Sequence, residues 1–304
     1  MPVIEVQDLR KAYDDVKAVD GVSFTVEIGE VFGMLGPNGA GKTTTVEIME
    51  GLRPRDSGAV QVLGLDPGRD AGDLKRKIGV QLQQVSLYPR LRVAEVIELF
   101  ASFYGRAGVA DHLLALLGLE ERRRAFVKDL SGGQQQRLSV ALAMVNDPPI
   151  IFLDEPTTGM DPQARRSLWE TIEQFKAEGR TVLLTTHYME EAERLCDRVA
   201  VMDHGRIIAM ETPEALVRTH FAEDAIEFSQ RDGLTEADIE SLPAVVNASI
   251  QGDRVSMFSD DVPASMAALL HLGRERGEPI QNLRLRRATL EDVFLKLTGR
   301  TLRD

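Results

Sequence analysis

Up to about residue 215, short continuously apolar stretches alternate with stretches whose hydrophobic residues recur at helical spacing. The apolar stretches predict buried strands at 31–36, 150–154 and 181–186. The stretches that follow them predict helices at 43–51, 165–177 and 189–196. Continuously apolar strands that alternate with helices are typical of a parallel sheet covered on both faces, so we expect an α/β fold.

Residues 86–147 interrupt this alternation, because almost all of the segment has helical periodicity. The clearest helices are expected at 93–103 and 111–117. We therefore expect a helical subdomain inserted into the α/β core.

A second domain is predicted after a boundary near residues 215–224. Its strands are expected at 225–229, 245–250, 254–258 and 280–286, and its helices at 235–242 and 263–276. This β-α-β-β-α-β order is the ferredoxin-like pattern of a small α+β domain, and a last amphipathic helix is expected at 289–298. We therefore expect two domains, 1–218 and 222–304, with the candidate chemistry in the first.

The composition is that of a folded protein, with 43% hydrophobic and 28% charged residues among 304. The net charge of −12 and the shortness of the basic groups at 121–124 and 284–287 argue against a nucleic-acid partner. Cys196 is the single cysteine, which rules out an internal disulfide. No apolar run reaches the roughly 18 residues of a membrane-spanning helix, and no signal peptide is evident, so we expect a cytoplasmic protein.

The segment Gly36-Pro-Asn-Gly-Ala-Gly-Lys-Thr43 matches G-x-x-x-x-G-K-[ST], between a predicted strand and a predicted helix. Its glycines allow successive backbone N–H groups to turn towards a phosphate, and the helix start adds positive potential. We expect Lys42 to reach the β- and γ-phosphates and Thr43 to offer its hydroxyl to Mg²⁺. The alternative is a glycine-rich turn with an exposed lysine, which the strand-loop-helix context disfavours.

An acidic pair, Asp154 and Glu155, ends the predicted strand 150–154, where α/β sheets bind ligands. In a phosphate site Asp154 would hold Mg²⁺, and Glu155 would polarise a water for attack on the γ-phosphate. The same pair before Pro156 is equally consistent with a helix start, so the pair alone leaves both interpretations open.

The segment Leu130-Ser-Gly-Gly-Gln134 lies shortly before that strand and predicts another helix start, with Ser131 as its cap. A helix start with paired glycines is also an anion site. Two phosphate-type sites in one chain either hold the same nucleotide or serve different copies of the chain.

With these motifs in this order, residues 3–215 resemble the ATP-binding subunit of ABC transporters. The resemblance implies a P-loop NTPase cassette that binds ATP and Mg²⁺. It places the phosphate loop at Gly36, Pro37, Asn38, Gly39, Ala40, Gly41, Lys42, Thr43 and Thr44. It also implies that ATP held by the opposite subunit is touched by a signature segment, Ser131, Gly132, Gly133 and Gln134.

Three further nucleotide contacts follow from the same resemblance. Tyr13 resembles the aromatic residue that stacks on adenine, although it could be an ordinary half-buried strand residue. Asp161 resembles the aspartate of the loop that crosses the dimer interface. His187 resembles the histidine that contacts the γ-phosphate, with a helix-capping residue as the alternative.

The resemblance also assigns the metal and catalytic residues. Asp154 resembles the magnesium-site aspartate, and Glu155 resembles the catalytic glutamate. Gln83 resembles the glutamine that senses Mg²⁺ and links the site to the membrane partner. Gln81 and Gln84 flank it and could take that role instead, and a solvated loop glutamine is a further alternative.

Membership of such a family implies two kinds of partner. A second copy of the chain would enclose two ATP molecules in a head-to-tail, two-fold symmetric dimer, which hydrolysis opens. Separate polytopic membrane subunits would receive this motion around residues 84–93, which would place the chain at the inner face of the cell membrane. Residues 288–299 resemble the tail of daunorubicin-type drug-resistance exporter ATPases, which implies export.

Two other functions are alternatives to a transport ATPase. A soluble ABC-type ATPase acting on ribosomes, DNA or cofactor assembly is disfavoured by the single cassette and the acidic charge. A regulatory module that binds nucleotide without hydrolysing it is disfavoured because Glu155 and His187 are both present.

Overall fold

The computed structural model describes residues 2–82, 87–221, 224–229, 234–277 and 280–299, and their contacts separate into two compact units, Met1–Pro213 and Glu214–Gly299. The strands up to residue 213 are β1 (Pro2–Tyr13), β2 (Val16–Glu27), β3 (Val31–Leu35), β4 (Ser57–Val62), β5 (Ile78–Gln81), β6 (Ile150–Asp154), β7 (Thr181–Thr186), β8 (Arg198–Asp203) and β9 (Arg206–Glu211). The helices there are α1 (Lys42–Met49), α2 (Ala71–Lys75), α3 (Val93–Ser102), α4 (Ala110–Leu116), α5 (Gly132–Ala143), α6 (Pro162–Ala177) and α7 (Met189–Leu195). The chain continues through α8 (Pro213–His220), β10 (Asp224–Ser229), α9 (Glu236–Glu240), β11 (Val245–Gln251), β12 (Arg254–Ser259), α10 (Val262–Glu275), β13 (Gln281–Arg287) and α11 (Leu290–Thr298). Over the described ranges, no helix combines the length and the apolarity needed to cross a membrane.

A six-stranded sheet forms the centre of the first unit, in the order β5-β6-β7-β3-β8-β9. All neighbours in this sheet are parallel except β8 and β9, which are antiparallel. Strands β3, β6 and β7 are buried at every residue, as their continuous apolar runs predict. The predicted α/β fold is confirmed, and the ends of these three strands bring the candidate site to one edge of the sheet.

A second, three-stranded antiparallel sheet in the order β2-β1-β4 was not predicted. Burial alternates along β2. Val22, Phe24 and Val26 are buried, whereas the residues that follow each of them are exposed. Such period-two burial is typical of an antiparallel sheet with one face on the core. The rings of Phe24 and Phe32 stack with centroids 5.2 Å apart and join this sheet to β3.

Helices α3, α4 and α5 occupy the segment between β5 and β6 that was predicted to be helical. Helix α5 packs on β5, and the approach is close at Gly79. A Cβ atom placed there would lie 2.2 Å from the backbone oxygen of Ala143 and 2.8 Å from Cγ of Pro148. Only glycine therefore permits this contact between the helical segment and the sheet.

The second unit contains the strand and helix order that its sequence predicted. Its four strands form an antiparallel sheet in the order β11-β12-β10-β13. Helices α9 and α10 cover one face through a core that includes Ile226, Ile239 and Leu269. On this unit the rings of Phe221 and Phe258 also pack, with centroids 4.3 Å apart.

Gly79→Ala should lower the free energy of unfolding by about 1–3 kcal/mol, because the added methyl group meets backbone that cannot move freely. The measurement is chemical denaturation, with Gly72→Ala as the matched control. Gly72 lies in α2, and a Cβ atom added to it would have no other atom within 4 Å, so its replacement should be neutral or stabilising. Equal stability of the two variants would contradict the close packing of α5 on β5.

Candidate functional site

The loop between β3 and α1 is held by two glycines that touch backbone from different strands. A Cβ atom at Gly36 would lie 2.4 Å from the oxygen of Met202 in β8. A Cβ atom at Gly41 would lie 2.2 Å from the oxygen of Ala18 in β2, and Gly41 has φ +102°. These contacts require glycine at both positions and fix the loop between the two sheets.

Lys42 is the first residue of α1 and its side chain is folded back under the loop. It is 6% exposed, and Nζ donates to the oxygens of Gly36 at 2.7 Å and Pro37 at 3.1 Å. Burial lowers the pKa of its ammonium group, and the nearby carboxylates of Glu155 and Asp154 partly offset this. The start of α1 has no side-chain cap, so its N–H groups and Lys42 together form an anion site.

The other residues of the predicted phosphate loop surround this position. Pro37 and Ala40 are buried, whereas Asn38, Gly39 and Thr43 are exposed. Thr44, in the first turn of α1, is half-buried. Asn38, Gly39 and Thr43 therefore form the face of the loop that is open to a ligand, and Pro37 and Ala40 anchor the loop in the protein.

Asp154 and Glu155 follow one another at the end of β6 but lie in different environments. Asp154 is 6% exposed and accepts a hydrogen bond from the hydroxyl of Thr185, and burial raises the pKa of its carboxyl. Glu155 has a left-handed backbone with φ +47°, and its N–H donates to the oxygen of Thr185 at 3.1 Å. Such a conformation is uncommon for a residue other than glycine, and here it turns the chain away from β6 directly after Asp154.

The Glu155 side chain is paired with His187, the residue directly after β7. His187 Nδ1 lies 3.4 Å from Glu155 Oε2, and the hydroxyl of Thr158 donates to the same oxygen at 3.2 Å. The hydrogen bond from His187 is the main cause that lowers the pKa of Glu155, against the opposing effect of burial. Glu155 is therefore an ionised carboxylate at neutral pH, suited to accept a proton or to orient water.

The predicted signature segment forms the start of α5. Ser131 caps the helix by accepting from Gln134 N at 3.3 Å, and the Gln134 side chain accepts from Ser131 N at 3.1 Å. Ser131 and Gly132 are exposed, and Gly133 is half-buried. In the described ranges, the hydrogen bonds of residues 131–134 do not reach the phosphate loop. This second helix start is open to solvent.

One turn after its start, helix α5 makes a hydrogen bond to the acidic pair. The side-chain amide of Gln136 donates to the backbone oxygen of Glu155 at 3.5 Å. The contact links the helical segment to the position where β6 ends.

The structure places two remaining candidates at the margins of this site. Tyr13, at the end of β1, is 39% exposed, and its hydroxyl accepts from Arg53 at 3.0 Å. Asp161 is exposed and caps α6 by accepting from the N–H groups of Gln163 and Ala164. Gln83 lies outside the described residues, and so does Gln84.

Sequence reasoning missed a buried group behind the site. Glu191 in α7 is fully buried and accepts from the indole N–H of Trp169 at 2.9 Å. Burial raises the pKa of its carboxyl, and the hydroxyl of Thr186 and the indole N–H of Trp169 partly counter the rise. Thr186 immediately precedes His187, so Glu191 interacts with the end of β7 beside the site. Its only signal in the sequence is an acid four residues before Leu195 on the buried face of a helix.

Known proteins resemble this chain along its full length. A family model described as "ABC transporter" matches residues 19–158. The Nod factor export ATP-binding protein I of Burkholderia lata is 41% identical over 311 residues, which cover 100% of this chain and 100% of that protein. The protein of the same name from Ralstonia nicotianae is 39% identical and covers 100% of this chain and 96% of its own length.

Solved structures show the same fold over the first part of the chain. A structure described as the ATP binding subunit of an ABC transporter is 31% identical with a TM-score of 0.66, and covers 72% of this chain and 93% of that chain. The ATP-binding cassette MJ0796, dimeric and bound to ADP and Pi in a post-hydrolysis state, is 28% identical with a TM-score of 0.64. That match covers 69% of this chain and 98% of the cassette.

His187→Ala should raise the pKa of Glu155 towards its ordinary value, because the main hydrogen bond that stabilises the carboxylate is lost. Because the folded-state pKa of Glu155 is depressed, the bond stabilises the folded protein above pH ~4.5. This stabilisation is lost as the pH falls through the folded-state pKa. The stability difference between the parent protein and His187→Ala should therefore shrink in acid.

Carboxyl NMR titration of Glu155 and unfolding at several pH values would measure both effects. His204→Ala is the control, because the His204 ring is exposed and its carboxylate neighbour is Asp203, at 3.7 Å. An unchanged Glu155 titration in His187→Ala would contradict the pairing.

Proposed function

The chain belongs to the ABC transporter family as an ATP-hydrolysing, ATP-binding subunit, and from this membership we propose that it powers an exporter through separate membrane subunits. The observation that carries the proposal is the meeting of the Lys42 anion site with the Glu155–His187 pair at one edge of the sheet. The full-length similarity to ATP-binding proteins named for Nod factor export supports export as the direction. It also favours transport over a soluble, non-transport ATPase.

The reaction is hydrolysis of ATP to ADP and phosphate. The loop Gly36–Thr44 and the start of α1 hold the phosphates, and Lys42 compensates charge on the β- and γ-phosphates. Glu155, ionised and half-buried, orients and polarises the attacking water. His187 lies 3.4 Å from the Glu155 carboxylate and holds it in place, and its proposed second role is to contact the γ-phosphate.

We also propose Mg²⁺ as the metal, held by Thr43 and Asp154 with Gln83 as the third candidate. The described residues contain no group of three or more His, Cys, Asp or Glu side chains that could hold a metal alone. Magnesium bound with nucleotide needs fewer protein ligands, because phosphate oxygens and waters complete its six positions. One buried carboxylate with an exposed threonine hydroxyl fits that donor set, and the ion would neutralise charge on the phosphates.

The active assembly is proposed to be a dimer of two such cassettes. The helix start at Ser131 and Gly132 is exposed, and the side-chain bonds of its cap run between Ser131 and Gln134, which leaves it accessible to a nucleotide held by a second copy. Asp161 at the exposed start of α6 fits a loop at that interface. The dimeric state of MJ0796, a protein of the same fold, supports this assembly.

We propose that residues 1–218 form the ATPase domain, with a helical subdomain at about 86–147, and that residues 222–304 form an accessory domain. Membrane subunits would bind near residues 84–93, of which 87–93 are described, and would hold the chain at the inner face of the membrane. A groove of about 310 Å³ reaches Leu82, which precedes this segment in the sequence, and supports contact at this edge of the sheet. It lies between the sheet edge at β5 and helices α3 and α5, with Leu82, Phe100 and Tyr104 in its walls.

Glu155→Gln should lower ATP turnover by about 10²–10⁴-fold, because the amide cannot act as a base, and should leave ATP binding intact. The variant should accumulate as a dimer in saturating ATP and Mg²⁺. Phosphate release and light scattering coupled to size exclusion would measure the two effects. Glu170→Gln, at an exposed position on α6, is the matched control and should behave as the parent. A Glu155→Gln protein that stays monomeric would count against the ATP-dependent dimer.

Tyr13→Ala should raise the KM for ATP about tenfold with little change in kcat, because base stacking on an aromatic ring contributes about 1–3 kcal/mol. Tyr13→Phe keeps the ring and loses the hydrogen bond from Arg53, so it should remain close to the parent. Steady-state kinetics would compare the three proteins. A KM increase of equal size in both variants would assign the effect to Arg53 and not to stacking.

A further inference from the structure

The ring of His187 has a second contact besides Glu155. It packs on the ring of Tyr188, the next residue, with centroids 4.2 Å apart and planes tilted by 40°. Side chains of adjacent residues in an extended chain point in opposite directions, so this contact depends on the turn that follows β7. The turn is held by Thr186, whose hydroxyl accepts from the N–H of Tyr188 at 2.9 Å.

The ring of Tyr188 is in turn packed by Arg165, from a different element. The guanidinium carbon of Arg165 lies 4.0 Å from the centre of the Tyr188 ring. A planar guanidinium group at this distance is attracted by the π electrons of the ring and stacks on it. Arg165 lies in the first turn of α6, where its backbone N–H donates to the oxygen of Asp161 at 3.0 Å. The His187 ring is therefore tied, through Tyr188, to the start of α6.

The buried carboxyl group of Glu191 supports Arg165 from within the protein. Burial raises the pKa of this carboxyl, and the positive charge of Arg165 is among the groups that oppose the rise. Trp169, four residues after Arg165 and so on the same side of α6, donates its indole N–H to Glu191 at 2.9 Å. Two attractions thus hold the Arg165 side chain in one place, the Tyr188 ring and the Glu191 carboxyl.

The long contact between His187 and Glu155 makes this support necessary. His187 Nδ1 lies 3.4 Å from Glu155 Oε2, which is beyond the usual length of such a hydrogen bond. A single contact at Nδ1 sets the position of one atom but leaves the plane of the ring free to turn. Packing on Tyr188 restricts that plane, and so determines the direction of the second ring nitrogen, Nε2.

We propose that Arg165 is a positioning residue for ATP hydrolysis, which holds the His187 ring in its working orientation by stacking on Tyr188. The inference rests on the proposed function, since it takes His187 as the side chain that contacts the γ-phosphate. It adds the reason why the ring faces the site, and it assigns that task to a residue one turn after Asp161.

Tyr188→Leu should lower kcat for ATP about tenfold, because a His187 ring that can turn spends less time in the productive orientation. KM should change little, since the phosphate loop still holds the nucleotide. Tyr188→Phe keeps the ring and should retain most of the turnover. Equal losses of kcat in the two variants would overturn the inference, because the hydroxyl and not the stacked ring would then be responsible.

Arg165→Gln should lower kcat by a similar factor, again with little change in KM. The double variant Arg165→Gln/Tyr188→Leu should be no slower than the slower single variant, because both changes break the same stack. Fully additive losses would contradict it. Arg166→Gln is the matched control, since it removes the same charge at the next, exposed position of α6 and should behave as the parent.

The His187→Ala background shows whether these residues act through the histidine. There Tyr188→Leu should cause no further loss of kcat, because the ring that Tyr188 orients is gone. A further loss as large as that in the parent would overturn the inference. If His187→Ala alone hydrolyses ATP at the parent rate, the γ-phosphate contact in the proposed function is wrong, and the packing is then decided by a measurement without turnover.

That measurement is NMR of the histidine ring protons in the full-length, nucleotide-free chain, with His187→Ala to assign the His187 signals. The ring current of Tyr188 should displace these signals from those of a solvated histidine. In Arg165→Gln they should move towards the solvated values, and in Arg166→Gln they should not. Unchanged signals in an Arg165→Gln protein that melts at the parent temperature would show that Arg165 does not hold the stack. If Arg165→Gln does not fold, Tyr188→Leu and Tyr188→Phe decide the question by their kcat values.

Discussion

The candidate site depends on one close contact, the clamping of the phosphate loop between the two sheets of the first unit. Gly36 lies against a backbone oxygen of β8 in the parallel sheet, and Gly41 lies against a backbone oxygen of β2 in the antiparallel sheet. Neither position tolerates a Cβ atom without displacing backbone. These contacts fix the loop between the two sheets, and the loop in turn sets where α1 and Lys42 begin.

Asp154 and Glu155 are adjacent in sequence, yet their environments shift the pKa values of their carboxyl groups in opposite directions. Asp154 continues β6 into the core, where burial raises the pKa of its carboxyl. Glu155 leaves the strand in a left-handed conformation, at a cost of about 1–2 kcal/mol, and meets His187, which lowers its pKa. Thr185 bonds both residues, through its hydroxyl to Asp154 and its carbonyl to the N–H of Glu155. One threonine of β7 thus holds both residues at the end of β6.

The features that could be predicted from sequence are those whose pattern is local. Strands β3, β6 and β7 have continuous apolar runs, and the loop after β3 has a fixed motif, so both were identified. The antiparallel sheet of β1, β2 and β4 was missed because its weaker alternation gives no sign of which distant strands pair. Glu50 and Glu191 could not be singled out, because a lone acid on a helix looks the same whether it is solvated or buried. Their significance depends on neighbours from other elements, such as Asp154 or Trp169.

Two helices connect the nucleotide site with the groove, and this gives a physical route for coupling. Helix α1 begins at Lys42 and ends beside Glu50, over about 12 Å for its 8 residues. Helix α5 begins at the signature segment, bonds Glu155 through Gln136, and lines the groove with Ser139 and Ala143. The two helix starts would contact nucleotides of different subunits, while their other ends share one groove. Because packed helices move as rigid units, closure of the dimer would shift one groove wall against the other, and a segment held between them would be displaced.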